Sequence, residues 1–338
     1  MLRQIERLTR TVSRAGREAR AIAVYAEPSG LETRDRLAPR SACESGFEGV
    51  ACVDDAARAV VLYCKLWNQS RIDNTRAAAY ALLRFLAYMQ EPDGRFTNFI
   101  VDWTGERNCD GITSHPGGGP WQARAAHALA CGVGMFGESE WDARFQLALA
   151  WLDAPTPYMD VRAVGVMSAL EHWRATGSAA SAAKAIVWSE EIANCSSNGS
   201  LLNAAGVRPI HLWGHLQERA LADVGAAFGR SDLVDTAQAS ADALLIPAIE
   251  ANFPFTPVLP FDVSCTVSGL AAVGSATGDK RYASAAERGR DWFRGRNTAA
   301  QPVYDAECGL VFDGIDSGRV SHNSGAESNI EGALALLL

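Results

Sequence analysis

Apolar residues recur every three to four positions in long runs along this chain. That is the period of a helix with one buried face, and not the one-in-two alternation of a half-buried strand. The runs predict helices over residues 53–67, 73–90, 121–136, 141–152, 160–176, 179–194, 211–228, 232–246, 264–277, 281–294 and 326–338. Leu2, Ile5, Leu8, Val12, Ala15, Ala19 and Ile22 keep the same spacing, which predicts one more amphipathic surface helix at the N-terminus. Alternating patches near residues 95–101 and 302–312 read as loop hairpins, and no other strand signal competes.

The connections are of two kinds. Short turns at 68–72, 137–138, 177–178, 229 and 278–279 follow the even-numbered helices, whereas loops at 26–51, 91–119, 195–210, 247–263 and 295–325 precede them. A short turn forces its two helices antiparallel, so all the long loops gather at one end, the N-terminal end of the even-numbered helices. Those helices are also rich in small residues (VGVMSAL at 164–170, SGLAAVGSA at 268–276), which permit close approach and suit an inner ring. Twelve helices in six hairpins with an inner and an outer ring make an all-α (α/α)6 toroid, expected to fill residues 1–338 as a single domain.

Composition narrows the class further. Of 338 residues, 48% are hydrophobic and 21% charged, as in an ordinary globular protein. A net charge of −8 without any basic patch argues against a nucleic-acid partner. The Arg-rich N-terminus lacks the apolar stretch of a secretory signal, and no apolar run approaches the roughly 20 residues that span a bilayer. Eight dispersed cysteines without a C-x-x-C pair read as reduced thiols, not as a disulfide or zinc framework. The expectation is a soluble cytoplasmic protein with no membrane partner.

The stretch ESGFEGVACVDDAARA at 44–59 concentrates four carboxylates where a loop becomes a helix. Asp54 and Asp55 open that helix, where acidic groups are favoured as caps whether or not they do chemistry. At the long-loop end of a toroid they would also line a central funnel. The other helix starts and loops add Trp121 and Arg124, Asp160 and Arg162, His211, Trp213 and His215, Asp262, Glu327, and the loop residues Glu44, Glu48, Trp103, His115 and Asp313. Tryptophan faces beside carboxylates suit a carbohydrate, whose C–H faces pack on the rings while its hydroxyls hydrogen-bond. Glu327 fits a capping box with Ser324 as well as a catalytic carboxylate. His211 and His215, four apart, would share a helix face with Glu218 one turn on; a metal would want a clearer third ligand, so acid–base duty fits better. His127 and His172 fall deeper in their helices and read as structural. Arg124 and Arg162 would either clamp an anionic substrate group or pair with Asp110 and Asp160. The run Gly117–Gly119 lacks the Lys and the preceding strand of a phosphate loop, and Cys52 breaks the Asp-rich signature of a class II terpene cyclase. Nothing calls for a metal or organic cofactor.

The segments CVDDAARA (52–59), QEPDGRFTNF (90–99), WFRGRN (292–297) and NSGAES (323–328) resemble the six-hairpin glycosidase superfamily, and more closely the helical domains near or fused to bacterial glycosyltransferases. One departure stands out: where such relatives are expected to have a Ser-His-Gly-Arg turn, Ser114-His115 is followed by Pro116-Gly117-Gly118-Gly119. The resemblance implies a carbohydrate substrate, and a glycosyltransferase partner at most. The expected function is glycoside hydrolysis, with Asp54 and Asp55 as acid/base candidates, Glu327 as the partner carboxylate, and Trp103, Trp121 and Trp213 as sugar platforms. The alternatives are a sugar epimerase or isomerase using His211 or His215, and a non-catalytic glycan binder.

Overall fold

The computed structural model describes residues 2–28, 37–39 and 47–337. Among these the helices are α1 (Leu2–Leu8), α2 (Val53–Ser70), α3 (Asp73–Met89), α4 (Gly119–Phe136), α5 (Ser139–Ala150), α6 (Met159–Thr176), α7 (Ala179–Asn194), α8 (Gln217–Phe228), α9 (Ser231–Ser240), α10 (Pro260–Thr277), α11 (Lys280–Phe293) and α12 (Ala326–Leu337). A π-helical turn, Ala241–Leu245, carries α9 on into Ile246–Glu250; it lies directly before Pro247, whose missing N–H would break a regular ladder.

The even-numbered helices form the inner ring. Each packs on the next, α2 on α4, α4 on α6, α6 on α8, α8 on α10 and α10 on α12, and α12 packs back on α2 to close it. The outer layer is α3, α5, α7, α9 and α11, each antiparallel to the inner helix before it. Four of these hairpins turn through a glycine at positive φ, namely Gly137, Gly177, Gly229 and Gly278, each closing its inner helix by donating its N–H to the carbonyl four residues back. A left-handed residue there is cheap only without a Cβ. The sixth outer position is taken by α1, which packs on α12 from the opposite end of the chain. Gln4 donates to the Ser324 carbonyl (3.4 Å) and Arg7 to that of Cys308 (3.2 Å). The result is the all-α (α/α)6 toroid, with its core between the layers around buried Phe85, Trp141, Phe145, Tyr282, Trp292 and Phe293.

Several boundaries differ from those read off the sequence. The N-terminal helix stops at Leu8, and the rest of that segment is a hairpin of β1 (Thr9–Thr11) and β2 (Arg20–Ile22). Val12, Ala19 and Ile22 are buried as expected, but by this hairpin, since Gly16 at φ +101° and the β-branched Thr9, Thr11 and Val12 favour a turn between strands. The helix expected from His211 begins at Gln217, so His211, Trp213 and His215 sit on the loop before α8 and share no helix face. The helix expected from Ser264 begins one turn earlier at Pro260, whose preset φ suits a first helical position.

The long loops carry short two-stranded ribbons. These are β3 (Ala26–Pro28) with β4 (Leu37–Pro39), β5 (Ala51–Cys52) with β6 (Phe99–Ile100), β7 (Ser196–Ser197) with β8 (Ser200–Leu201), β9 (Tyr304–Asp305) with β10 (Leu310–Val311), and β11 (Gly314–Asp316) with β12 (Arg319–Ser321). The ribbons lie in the loops that precede inner helices. No helix among the described residues is long and apolar enough to cross a membrane.

Candidate active site

The start of α2 is built from three sides. Strand β5 docks on β6, and Gly49 lies so close that a Cβ there would stand 2.2 Å from the Ile100 carbonyl oxygen. The Asn98 carbonyl accepts from the Val53 N–H (2.8 Å), its side-chain oxygen accepts from the Asp54 N–H (3.1 Å), and its amide donates to the Thr113 carbonyl (2.9 Å). Cys52 caps the helix: its sulfur accepts from the Asp55 N–H at 3.4 Å, and its thiol donates to Asp55 Oδ2 at 3.3 Å. Two adjacent aspartates are thereby aimed into the ring.

The hub between them is Arg58, one turn further along α2. Its buried guanidinium bonds Asp54 Oδ2 and Glu327 Oε2, both at 2.7 Å, and lies 3.8 Å from Asp55 Oδ1 and 3.7 Å from Glu331 Oε1. Arg124 of α4 pairs with the other oxygen of Asp54. Both guanidiniums lie over Phe261, 4.5 and 5.3 Å from its centroid. The first and last inner helices are thus joined through one cation.

This wiring separates the two aspartates electrostatically. Burial pushes the Asp54 carboxyl up, but Arg124 and Arg58 outweigh it and hold Asp54 below the usual range, so it is ionised. Asp55 is 6% exposed; burial, with repulsion from Asp54 and Glu327, raises it to about 7 against the pull of Arg58. It therefore keeps a proton near neutrality that an ordinary carboxyl has lost. Burial also raises Asp313 and Glu331, and raises Asp262 to about 6 although the Leu259 N–H stabilises its charge. Asp54, Asp55 and Glu327 each bring an oxygen within 4.8 Å of the others, a spacing a cation can exploit. Here Arg58 supplies that cation from the chain itself.

A cavity of about 640 Å3 opens over this cluster at the long-loop end. Of the residues singled out from the sequence, Asp54, Asp55, Glu327, Trp121, Arg124 and Trp213 line it, as do Asp160 and Asp313. Trp213 is 48% exposed at the rim, whereas Trp121 is buried, its Nε1 donating to the Phe96 carbonyl (2.9 Å). The others lie outside this wall. Glu48 braces a loop by accepting from the Thr113 N–H (3.0 Å), and Glu44 lies outside the described residues. Trp103 packs by the N-terminal hairpin, its carbonyl accepting from the Ser13 N–H (3.2 Å). His115 is exposed, edge-on to Trp121 at 5.3 Å. Arg162 faces outward over Trp188, 2.8 Å from Glu191, donating to the Leu152 and Ala154 carbonyls.

The two histidines part company. His211 stacks on Trp213 (4.0 Å between centroids, 12° between planes) beside the rim. Burial lowers its pKa, which favours the neutral ring. His215 is 1% exposed and fixed in a chain: the Asn203 amide donates to its Nδ1 (3.1 Å), its Nε2–H donates to Glu218 (3.0 Å), and Ser240 donates to the same Glu218 oxygen (2.6 Å). Removing the ring strands partners that water does not reach. His215→Ala is therefore expected to lower stability by about 1–3 kcal/mol for each buried group left unpaired, read from its urea midpoint.

Arg58, Phe261 and Glu331 escaped the sequence reading. For Arg58 a signal existed, since it stands three and four residues after Asp55 and Asp54, the spacing of an ion pair on one helix face.

Neither a protein-family model nor a curated protein sequence matches this chain. Solved structures do. A sugar epimerase from a ruminal bacterium superposes with TM-score 0.71 at 12% identity, over 94% of this chain and 91% of that one. A D-mannose isomerase superposes with TM-score 0.68 at 10% identity, over 96% and 93%. A GH76 alpha-mannanase from Bacteroides thetaiotaomicron superposes with TM-score 0.63 at 10% identity, over 86% of each chain. At such identities the likeness is one of fold.

Proposed function

We propose that the chain is a carbohydrate-active enzyme of the six-hairpin glycosidase type, and that its reaction is glycoside hydrolysis. The observation that carries this is the pairing of a buried carboxyl raised to about 7, Asp55, with a part-exposed carboxylate, Glu327, in one cavity. Glycoside cleavage needs these two states side by side: an acid to protonate the departing oxygen, and a carboxylate to attack the anomeric carbon or activate water. In this reading Asp55 gives its proton to the glycosidic oxygen and Glu327 faces the anomeric centre. Asp54, locked between Arg58 and Arg124, holds the charge balance. Trp213 offers an exposed ring for a sugar face, and the fold neighbours named as sugar enzymes are consistent with such a substrate.

One oxygen of Asp55 lies within 4.8 Å of one oxygen of Glu327, a close pair, and on that closeness we read the enzyme as retaining (carboxyl groups about 5–5.5 Å apart) and not inverting (roughly 6.5–9.5 Å). Purified protein should release sugar from a member of an oligosaccharide panel, and the first-formed product, followed by proton NMR, should keep its anomeric configuration. Glu327→Gln should lower that turnover by at least about a hundredfold while the protein stays folded, since the amide oxygen can still accept from Arg58. An epimerase would instead place solvent deuterium on a product carbon through a base such as His211. Deuterium incorporation without sugar release would replace the hydrolytic reading.

A further inference from the structure

Below the funnel, on the axis of the ring, lies a second chamber of about 240 Å3. The two share Arg58, Arg124, Val164 and Phe261 in their walls, so the Phe261 ring with its two stacked guanidiniums divides them. The chemistry below this partition is the reverse of that above. Asp54, Asp55, Asp160, Asp313 and Glu327 line the upper cavity, whereas the lower one is lined by Lys65 of α2, His127 of α4, Arg219 of α8 and Arg290 of α11, against Asp223 and Glu331.

Most of these charges are already engaged. Arg290 donates to the Ala335 carbonyl (2.7 Å) and to Glu287 (2.6 Å), and Glu331 faces Arg58. Arg219 reaches Asp223 through Nε at 3.5 Å and Ser268 through one terminal nitrogen at 3.1 Å, which leaves N–H groups to spare. Lys65 and His127 are different. Among the described residues neither has a hydrogen-bond partner, and no carboxylate lies within 4 Å of Lys65 Nζ. The part-exposed Lys65 ammonium and the buried His127 imidazole, 9% exposed, thus bring donors without protein partners to one chamber, free to meet a ligand.

The surroundings specify the sign of the occupant. Burial holds the His127 ring neutral, lowering it to about 3, and the three charges that reinforce this, Arg219, Lys65 and Arg174, are all cations. Burial and Arg219 pull Lys65 down to about 7, with only partial relief from Cys131, Asp223 and Glu171. Burial is the larger cause for both groups and is indifferent to sign, but the cations Arg219, Lys65 and Arg174 around the His127 ring add a field that an anion would relieve. Lys65, Arg219, Asp223 and Leu334 are part-exposed, so water reaches the chamber.

We propose that this lower chamber is a second binding site, for a phosphoryl group, with Lys65 and Arg219 supplying charge and His127 a ring N–H. A phosphate presents three terminal oxygens and up to two negative charges, enough to engage all three side chains at once; a carboxylate presents two oxygens and one charge. The group arrives either as free inorganic phosphate or on a small phosphorylated sugar. The site is independent of the chemistry proposed for the funnel.

The test uses the full chain and follows its melting temperature against inorganic phosphate or glucose 6-phosphate, with sodium chloride at matched ionic strength as the control. A ligand that binds only the folded protein raises the melting point saturably. The expected result is such a rise with at least one of the two, weakened at least about tenfold in apparent affinity by Lys65→Met and by Arg219→Gln. Asp55→Asn, which alters only the upper cavity, should leave the rise intact. A rise with glucose 6-phosphate alone identifies a phosphorylated metabolite, and an equal rise with inorganic phosphate identifies the free anion. No saturable rise with either, or one that survives both Lys65→Met and Arg219→Gln, would overturn the proposal. Since each variant's own melting point is its reference, a general loss of stability does not imitate the result.

Discussion

Replacing Asp55 with Asn is expected to cut turnover by about a hundred- to ten-thousandfold, the span associated with loss of a general acid, while the protein stays folded. Asn matches Asp in shape and can still accept from the Cys52 thiol and the Arg58 guanidinium, so the partners of Asp55 keep their geometry. What disappears is the proton. In the parent enzyme that proton is held up to about pH 7, so kcat/KM should fall on the alkaline side with an apparent pKa near that value. Stability supplies a second readout. Between the ordinary 3.8 and about 7 the folded chain keeps a proton on Asp55 that the unfolded chain has released. The contribution of this group is therefore complete below about pH 4 and is lost as the pH rises through that window. Asn has no such titration, so the variant should gain on the parent from about pH 4 to 7 and hold its relative position above it. Urea midpoints across that range measure the effect. A variant equally active at neutral pH, or one that loses ground as pH rises, would contradict the assignment of Asp55 as a protonated acid.

Arg58→Met is expected to be the most damaging single change to the fold. One guanidinium, 6% exposed, faces four carboxyl groups, and among the described residues only Asp54 of these is also in ion-pair contact with a second cation, Arg124. Taking one partner out of a buried charge cluster costs about 3–5 kcal/mol, because the remaining charges stay desolvated without compensation. Arg58 lowers the pKa of both Asp55 and Glu331, so without it both should rise further, and the variant should lose stability more steeply as they ionise. The deficit against the parent should therefore be larger at about pH 8 than at about pH 5. Denaturation curves at the two pH values decide it. A deficit that does not change with pH would mean that lost stacking on Phe261, and not charge, is what Arg58 contributes.

These two residues mark how far the sequence was legible. Asp55 stood out as half of an Asp-Asp pair at a helix start, but nothing in the order of residues told it from Asp54. The difference arises because Asp54 reaches Arg124 on the neighbouring helix while Asp55 lines the cavity from a more buried position against Cys52, and both are facts of packing. Glu327, more than 270 positions away in the chain, came into consideration only because closing a ring brings first and last helices together. The structure makes that junction concrete through Arg58.

The toroid itself was written in local pattern. Apolar positions at helical spacing, glycines where short turns need a left-handed residue, and long loops before alternate helices determine a double ring, because each signal concerns neighbours in the chain. Signals weaker than their context misled. The N-terminal segment kept a helical period but beyond Leu8 is a hairpin, since Gly16 and three β-branched residues tip a marginal sequence that packs on α3, α2 and β5. His211 and His215 looked like one face of a helix; they are on a loop, one at the rim beside Trp213 and the other sealed against Glu218. Whether a side chain meets solvent, a cation or a wall depends on residues brought together from distant parts of the chain. The sequence therefore determined the elements and their order, while tertiary structure alone decided which carboxyl keeps its proton, which histidine is buried, and that a cationic chamber lies beneath an acidic one.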